Sequence, residues 1–317
     1  MVLIKFTNCR ILQGDKLVNE DFCICTNAGK IVDGQEAFYH SSSLHTDIID
    51  AGGKIISPGL IDCQVNGAFG FNFSTIPDDM NAYVSSLGCI KSSKVLPFHK
   101  PTGLRIAKAG AESLGAHCEG PFLNPTKNGA HDIGVLAEAF SFADLEECYG
   151  REHFIAKSNT ECLPIKMITV SPELGDMMSL IPELARRRII CSIGHSEATY
   201  EEARKAMDQG ASMVTHLFNA MRPLHHRDPG IIGLLGNNAL PHEHFFGLVA
   251  DGIHLHPMVI NLAIISQPDK CILVTDAMHL LGLPDGVYPW TNGGSTYNIT
   301  KSGAKLLLAD SDKIAGR

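Results

Sequence analysis

Several features are scarce or missing in this sequence, and each absence argues against a class of protein. No apolar run reaches the roughly 20 residues that a membrane-spanning helix requires. Near the amino terminus, Lys5, Asn8 and Arg10 interrupt the apolar residues, so this segment lacks the apolar core of a signal peptide and is expected to form an edge strand. Charged residues make up only 19% of the chain, which argues against a disordered protein or a coiled coil.

Basic residues are too few for a typical nucleic-acid-binding protein. The formal net charge is −8, whereas phosphate binding favours a basic surface. The ten cysteines form no CxxC pair, and several lie inside apolar runs, where a free cysteine packs as a small apolar side chain. We therefore expect a reduced, cytoplasmic protein that binds neither nucleic acid nor a membrane.

The first part of the chain differs in pattern from the rest. Up to about residue 54, short apolar stretches alternate with turn signals such as Gly52-Gly53, which predicts a small β-domain over residues 1–54. After Pro58-Gly59, apolar runs alternate with helical stretches. This alternation predicts an α/β fold over residues 55–317, with a parallel sheet closed into a (β/α)8 barrel.

Seven runs in the second part have the length and apolar character of buried strands. They are LIDCQV, SLGAHC, IKMITV, IICSIG, SMVTHL, FFGLVA and CILVTD. Helices are predicted over residues 171–187, opening at Ser171-Pro172, and from Ser196 to Gly210. An eighth barrel strand is not recognisable between residues 74 and 113. No closing helix follows the last strand-like stretch, AKLLLAD, so the predicted barrel is incomplete.

Acidic or imidazole side chains end four of these runs. They are Glu119, His195, His216 and Asp276. In parallel α/β barrels, the carboxyl ends of the strands build the catalytic centre. His195 and His216 are separated by about one strand–helix unit, which places them on neighbouring strands. With Glu119 they form a set that leaves a coordination position open for water, as in catalytic zinc sites. The pattern predicts a metal-dependent enzyme.

Asp276 follows the last of the seven runs, and its carboxylate has two interpretations. Aspartate is a good helix cap, so Asp276 is a candidate for the start of a following helix. Beside a metal-activated water, it is instead a proton carrier that takes a proton from the water and gives it to the leaving group. Because it shares a strand-end position with the candidate ligands, we favour the second interpretation.

The segment HLFNAMRPLHHRDPGIIG is rich in polar groups and has few reasons to be buried. It carries Asn219, His225, His226, Arg227 and Asp228. The planar guanidinium of Arg227 suits a phosphate or a carboxylate, and we favour a ligand-binding loop. The alternative is a loop held together by an Arg–Asp pair.

Two further segments place polar groups after strand ends. ADGIHLHP carries Asp251, His254 and His256, of which we interpret His256 as structural. KNGAHD carries Ala130 and His131 soon after the candidate ligand of the second predicted strand.

Six segments, in chain order, closely resemble those of the N-acetylglucosamine-6-phosphate deacetylases of the amidohydrolase superfamily. They are PGLIDCQVNGAFGFNFS, HCEGPFLNPTKNGAH, SIGHSEAT, THLFNAMRPLHHRDPGIIGLL, ADGIHLHP and LVTDAM. The resemblance runs from about residue 3 to the last residue. It implies a barrel of the amidohydrolase type. It also implies hydrolysis of the acetamide of N-acetyl-D-glucosamine 6-phosphate to D-glucosamine 6-phosphate and acetate, in amino-sugar catabolism.

The resemblance also implies a set of site residues. In amidohydrolases the first barrel strand usually ends in HxH, which carries a second metal, and Gln64 and Asn66 stand in those places here. Amides are poor ligands for transition metals, so one divalent cation (zinc, iron or cobalt) is implied, held by Glu119, His195 and His216. The implied substrate contacts are Ala130, His131, Asn219, Ala220, Arg227, Asp251, Gly252, Ile253 and His254.

The phosphate of the substrate is assigned by the same resemblance to Arg227 and its neighbour His226, reaching across the interface of a homodimer. His254 or His131 is expected to stabilise the oxyanion that develops on the acetamide. The resemblance thus implies an amino-sugar phosphate as the small-molecule partner.

The chain departs from the family pattern in two places. A strand motif of the type GxTxxxPT is not recognisable between Ser74 and Ser113, and the sequence ends in DSDKIAGR where the family continues. We therefore expect an internally shortened, C-terminally truncated form. One rival hypothesis is a truncated isoform that is inactive or folds poorly, or that pairs with a full-length subunit. The other is an amidohydrolase acting on a cyclic amide, against which the missing HxH and the HHRDPG loop argue.

Overall fold

In the computed structural model, the chain divides into two compact units, Met1–Gly59 and Leu60–Arg317. The structure describes residues 2–14, 16–27, 29–33, 45–74, 94–97, 111–155, 163–237, 243–292, 295–308 and 314–316. None of the helices in these ranges is long and apolar enough to span a bilayer.

The first unit is a small β-domain, as predicted. Its strands are β1 (Val2–Thr7), β2 (Arg10–Gln13), β3 (Lys16–Val18), β4 (Phe22–Cys25), β5 (Lys30–Val32), β6 (His45–Asp50) and β7 (Ile55–Ile56). They form a four-stranded sheet in the order β5-β4-β1-β6 and a three-stranded sheet in the order β3-β2-β7. Cys23 and Cys25 lie on the same side of β4 and are both buried, so the CxC pair packs as apolar side chains.

The second unit is built on parallel strands. They and two short strands between them are β8 (Ile61–Val65), β9 (Gly67–Ala68), β10 (Phe71–Asn72), β11 (Lys94–Pro97), β12 (Glu112–Ser113), β13 (Ala116–Glu119), β14 (Ile165–Val170), β15 (Ile190–Ile193), β16 (Met213–Val214), β17 (Phe245–Val249) and β18 (Cys271–Val274). Strands β13 to β18 form a six-stranded parallel sheet in sequence order. A second sheet has the order β12-β11-β8, and a parallel bridge from Val65 to Ala277 links β8 to the chain just after β18.

All seven predicted barrel strands are present, and the structure adds one that the sequence analysis missed. Strand β11 pairs in parallel with β8 and with β12. It has only four residues and ends in Pro97, which cannot donate to the ladder, so it carried no recognisable strand pattern. The rest of this region, residues 75–93 and 98–110, lies outside the described residues. The described part of the unit is an incomplete parallel α/β barrel, as predicted.

Helices cover the outside of the six-stranded sheet. The α-helices are α1 (Phe142–Tyr149), α2 (Met177–Arg186), α3 (Tyr200–Asp208) and α4 (Pro257–Ser266), and the 3₁₀ helices are Pro125–Lys127, Ile133–Val135, Arg151–Phe154, Gly230–Gly236 and Pro268–Lys270. Fully buried residues of the strands and helices, such as Ile168, Ile181 and Ile193, form one large apolar core. This core fixes the strand ends that carry the polar site.

Two helix starts differ from the prediction. Helix α2 begins at Met177 rather than at Ser171. Helix α3 follows Thr199 rather than Ser196, because Thr199 and Glu202 form a capping box. The hydroxyls of Ser171 and Ser196, taken from the sequence as helix-start signals, instead hold the loops around the site.

A four-stranded antiparallel sheet follows the barrel strands, where no strands except the stretch AKLLLAD were predicted. It consists of β19 (Gly286–Asn292), β20 (Ser295–Ser302), β21 (Lys305–Leu308) and β22 (Ile314–Gly316). Trp290, Ile299 and Leu306 form a small apolar cluster together with Met278 and Ala315. This sheet therefore has a core of its own that extends to the segment after β18.

Candidate active site

Three side chains converge at the carboxyl ends of neighbouring barrel strands. Glu119 is the last residue of β13, while His195 and His216 come two residues after β15 and β16. The Oε1 of Glu119 lies 3.2 Å from the Nε2 of His195 and 3.1 Å from the Nε2 of His216. The two Nε2 atoms are 2.9 Å apart. All three residues that the sequence pattern grouped therefore meet at one point.

The backbone at the site adopts a conformation that is costly for residues other than glycine. The φ angles are +50° at His195, +27° at His216 and +50° at Asp276. Such left-handed positions cost on the order of 1–3 kcal/mol each and persist where the surroundings hold them. At His195 the carbonyl oxygen accepts hydrogen bonds from the Ser171 hydroxyl (2.6 Å) and the Asn124 backbone N–H (3.0 Å). These strained conformations lower the stability of the fold, and they direct the three side chains toward the centre.

The imidazole of His195 is fixed in orientation. Its Nδ1 lies 2.7 Å from the Lys127 carbonyl oxygen, which can only accept, so Nδ1 carries the hydrogen and Nε2 presents a lone pair to the centre. Gly129 lies against the ring with φ +58°, and a Cβ on it would be 2.8 Å from Cε1 of His195. A side chain at this position would displace the imidazole.

The donor set of this cluster suits a cation. A carboxylate oxygen and two imidazole nitrogens at about 3 Å repel one another unless a proton or a cation lies among them. Ligand atoms of Glu119, His131 and His195 also lie within 4.8 Å of one another. Two histidines and a glutamate are a ligand set of catalytic metal sites. The cluster can therefore bind a metal ion.

Burial and the Glu119 carboxylate set the protonation of the two central imidazoles. Burial lowers the pKa of His195. At His216 burial acts in the same direction, but the hydrogen bond and charge of Glu119 outweigh it and raise the pKa to about 9. Burial would raise the pKa of Glu119, yet the surrounding imidazoles, His195 first, hold it well below its usual value. Without a cation, a proton is therefore held between Glu119 and His216.

Asp276 is held by the two amides that replace the usual HxH. Its Oδ1 accepts hydrogen bonds from the side-chain amides of Asn66 (2.8 Å) and Gln64 (3.2 Å). Gln64 also lies 3.4 Å from Oε1 of Glu119. Both amides therefore bind the same carboxylate oxygen, Oδ1. None of the described helices begins at Asp276, so the interpretation as a helix cap does not apply.

A cavity of about 500 Å³ opens above this centre. It collects most of the site residues expected from the sequence: Glu119, Ala130, His131, His195, His216, Asn219, Ala220, His254 and Asp276. The opposite wall of the cavity was not predicted: it is lined by Trp290 and Thr291 of β19 and by Ile314 and Ala315 of β22. The only sequence signal for this wall was its lone tryptophan, which had no assigned strand.

The segment 251–254 reaches the cavity only through its histidine. Asp251 and Ile253, like Gly252, are absent from the cavity lining, whereas His254 is part of it. The Asp251 carboxylate accepts from the backbone N–H of Ile253 (2.8 Å) and His254 (2.9 Å) and lies 2.8 Å from Nδ1 of His254. It therefore orients His254. His256 caps helix α4 by accepting from the backbone N–H of Met258, which is a structural role.

The loop 225–228 lies outside the cavity. His226 and Arg227 are exposed and do not line it. An Arg–Asp pair does hold the loop, but the arginine is Arg222, which bonds Asp228 and lies 3.3 Å from Glu197. Within the described residues, the guanidinium of Arg227 has no ion pair.

A chain of hydrogen bonds crosses the barrel interior beneath the site. His117 bonds the Cys63 carbonyl oxygen through Nδ1 (2.9 Å) and the Thr169 hydroxyl through Nε2 (2.7 Å). Thr169 continues to Thr215 (2.6 Å), and Thr215 to Ser192 (2.6 Å). Because Nδ1 must donate to a carbonyl, Nε2 must accept from Thr169, which sets the donor direction at the start of the chain. It ties strands β8, β13, β14 and β15 to the residue that follows β16, close to Glu119 and His216 in the chain.

A parallel barrel whose strand ends bring two histidines, a glutamate and an aspartate into one cavity is that of an amidohydrolase-type enzyme. No family model matches the chain. It is 38% identical over 305 residues to the human N-acetylglucosamine-6-phosphate deacetylase, covering 90% of this chain and 72% of the human protein. The Caenorhabditis elegans protein of that name is 34% identical, over 96% of this chain and 75% of its own. The chain belongs to the N-acetylglucosamine-6-phosphate deacetylase family.

Solved structures agree with this assignment at the level of the fold. The N-acetyl-D-glucosamine-6-phosphate deacetylase of Mycobacterium smegmatis superposes with a TM-score of 0.74 at 25% identity, covering 100% of this chain and 80% of that one. The enzyme of that name from Thermotoga maritima gives a TM-score of 0.71 at 26% identity, and the match covers 98% of this chain and 80% of that one.

Proposed function

We propose that the barrel unit, predicted over residues 55–317 and beginning at Leu60 in the structure, hydrolyses the acetamide of N-acetyl-D-glucosamine 6-phosphate to D-glucosamine 6-phosphate and acetate. The observation that carries the proposal is the convergence of Glu119, His195 and His216 within 3.2 Å of one another, beside an Asp276 held by two amides. The names of the relatives at 34–38% identity supply the substrate class.

We assign one divalent cation (zinc, iron or cobalt) to Glu119, His195 and His216. When bound, such a cation polarises a carbonyl and lowers the pKa of water. A single cation is favoured because Gln64 and Asn66 donate to Asp276 where a second site would need imidazoles. The fixed Nδ1–H of His195 supports its assignment, since it leaves Nε2 free to act as a ligand.

Asp276 carries the proton in this proposal. Its carboxylate takes a proton from the attacking water and later gives it to the departing amine, so water and amide yield acetate and amine with the proton conserved. The Asp251 carboxylate orients His254 through Nδ1, so His254 can donate to the developing oxyanion through Nε2 only as an imidazolium, and His131 in the same cavity is the alternative donor.

Sugar recognition is assigned to Ala130, His131, Asn219, Ala220 and His254, which line the cavity. Asp251, Gly252 and Ile253 contribute through His254. Phosphate recognition is assigned to Arg227 and His226. Because both are exposed and lie outside the cavity, we propose that they act on the cavity of a second copy in a homodimer.

The proposal is tested on the purified chain by metal analysis and by release of acetate. We expect one equivalent of metal, turnover of the sugar phosphate and no turnover of a cyclic imide. His195→Ala combined with His216→Ala should remove both metal and activity, whereas His153→Ala, which changes a histidine outside the cavity, should remove neither. Two equivalents of metal, or one that survives the double substitution, would contradict the proposed site. Turnover of the cyclic imide alone would contradict the proposed substrate.

A further inference from the structure

Glu173 lies just after β14, the strand between those that lead to Glu119 and His195, and it has no role in the proposed chemistry. Its carboxylate accepts three hydrogen bonds. Oε1 takes one from the side-chain amide of Asn124 (2.9 Å) and one from the backbone N–H of Glu197 (2.7 Å). Oε2 takes one from the hydroxyl of Ser196 (2.7 Å).

The partners of Glu173 belong to the two segments that hold the His195 imidazole. Asn124 caps the 3₁₀ helix Pro125–Lys127, and the carbonyl oxygen of Lys127 accepts from Nδ1 of His195. Ser196 directly follows His195 in the chain. The carboxylate therefore ties the segment that orients the ring to the segment that carries it.

Other bonds join the same two segments without replacing Glu173. The backbone N–H of Asn124 bonds the carbonyl oxygen of His195 (3.0 Å), and the ammonium of Lys127 pairs with Glu197 (2.8 Å) at a partly exposed position. The first fixes the main chain and the second lies at the outer edge. The Ser171 hydroxyl also links the two segments, accepting from the backbone N–H of Asn124 (2.8 Å) and donating to the carbonyl oxygen of His195 (2.6 Å), so it too fixes the main chain. Glu173 differs from these groups because its carboxylate holds the side chains of both segments, Asn124 and Ser196.

We infer that Glu173 is a positioning residue for His195, acting through the Lys127 carbonyl and the backbone after His195. This inference rests on the proposed metal site. A carboxylate suits this position because the Asn124 amide and the Glu197 N–H can only donate to it, and the Ser196 hydroxyl can donate as well. In glutamine the NH₂ group would face at least one of these partners, so either a bond is lost or the Ser196 hydroxyl must turn to accept, and the bonds that remain lose the charge of the carboxylate. We expect this to loosen the orientation of the His195 ring.

The experiment compares Glu173→Gln with a matched control, Glu183→Gln on helix α2. Glu183 also accepts several bonds, from Arg186 and Arg187, but on the outside of the barrel. Each variant is titrated with Co²⁺ while the visible absorption of the bound ion is recorded, and folding is checked by circular dichroism and melting. We expect Glu173→Gln to weaken Co²⁺ binding roughly 10- to 100-fold and to shift the spectrum, as for partners of metal ligands elsewhere. Glu183→Gln should change only the melting temperature.

The outcomes separate this inference from the proposed function. If the unmodified chain binds no Co²⁺, the proposed metal site and this inference both fail. If it binds Co²⁺ and Glu173→Gln binds it equally well with the same spectrum, only the positioning role fails. Should Glu173→Gln not fold, Ser196→Ala removes one of the three bonds. A weaker Co²⁺ affinity in that variant supports the inference, and an unchanged affinity and spectrum overturns it.

Discussion

Two regions expected to bind parts of one substrate are built in opposite ways. The centre around His195 and His216 is buried, and the carbonyl and ring nitrogen of His195 are each bonded to a neighbouring segment. The loop with His226 and Arg227 is exposed, and the ion pair that holds it among the described residues joins Asp228 to Arg222. The comparison suggests that the centre is organised before any ligand arrives, whereas the loop keeps a cation free for a group supplied from outside. The predictions that follow test this contrast.

The largest effect is expected at the buried centre, from Asp276→Asn. Asparagine has nearly the same shape but cannot accept a proton from water, so kcat should fall by roughly 10²- to 10⁴-fold with the metal retained. Steady-state assays measure kcat and metal analysis measures the bound metal. Asp208→Asn, at an exposed position of helix α3, is the control. A near-normal kcat would remove Asp276 from the proton path.

At the exposed loop, Arg227→Ala should act on binding rather than on chemistry. Loss of one charge-assisted contact costs about 1.5–3 kcal/mol, so KM for the phosphorylated sugar should rise roughly 10- to 100-fold, with little change for N-acetylglucosamine. Equal effects on both sugars would assign Arg227 to the scaffold.

Mixing that variant with His216→Ala tests whether the loop serves a second copy. A mixed dimer would combine an intact centre from one copy with an intact Arg227 from the other, and phosphorylated-sugar activity should recover. No recovery would place the action of Arg227 within its own chain.

The protonation of the centre predicts how metal binding depends on pH. Because the pKa of His216 is raised to about 9, this imidazole is protonated at neutral pH and must release its proton to bind a cation. Metal affinity should therefore rise by about tenfold per pH unit toward pH 9 and then level off, as measured by competition with a chelator. An affinity that is flat between pH 6 and 8 would contradict the proton held there.

The stability of the metal-free fold is expected to depend on pH in the opposite direction to metal affinity, falling as the pH rises. A raised folded-state pKa means that the His216 contribution to stability is full below its ordinary value of 6.5 and is lost as the pH rises through about 9. Melting of the metal-free chain at pH 7 and pH 10 measures this term, and an increase in its melting temperature at the higher pH would argue against it.

The smallest effect separates two arginines of the same loop. Arg222 joins Glu197 and Asp228 at a partly exposed position, so Arg222→Ala should lower the free energy of unfolding by about 0.5–1 kcal/mol. Arg227→Ala should leave it unchanged. Denaturant unfolding of both variants provides the measurement, and equal losses would mean that Arg227 also supports the loop.

The residues of the centre were predictable because each ends an apolar run, and parallel strands bring such ends together. Their supports were not. In the sequence, Gln64 and Asn66 could be recognised only because they occupy positions where histidines were expected. Their bonds to Asp276 depend on the parallel bridge between Val65 and Ala277, which the sequence does not reveal. Glu173 was placed in a predicted helix because Ser171-Pro172 is a common helix start. Its role could not be predicted because its hydrogen-bond partners are distant in the chain: Asn124 lies 49 residues away, Ser196 23 and Glu197 24.

The local contacts of the loop were equally hard to predict. In the sequence, both Arg222 and Arg227 are close to Asp228, and Arg227 is its direct neighbour. The folded backbone nevertheless brings Arg222 to the Asp228 carboxylate, which the sequence does not reveal. Strands β19 to β22 carry mixed polar and apolar residues with no strong alternation, so the second wall of the cavity was missed.

That second wall separates two tasks in the molecule. The reacting groups come from the barrel, while Trp290 and Ile314 come from an antiparallel sheet with its own small core. Substitutions in the sheet can reshape the cavity without moving a candidate ligand. Substitutions in this sheet are therefore the place to change which acyl group or sugar the cavity accepts, because the candidate metal ligands and Asp276 lie on the barrel and stay unchanged.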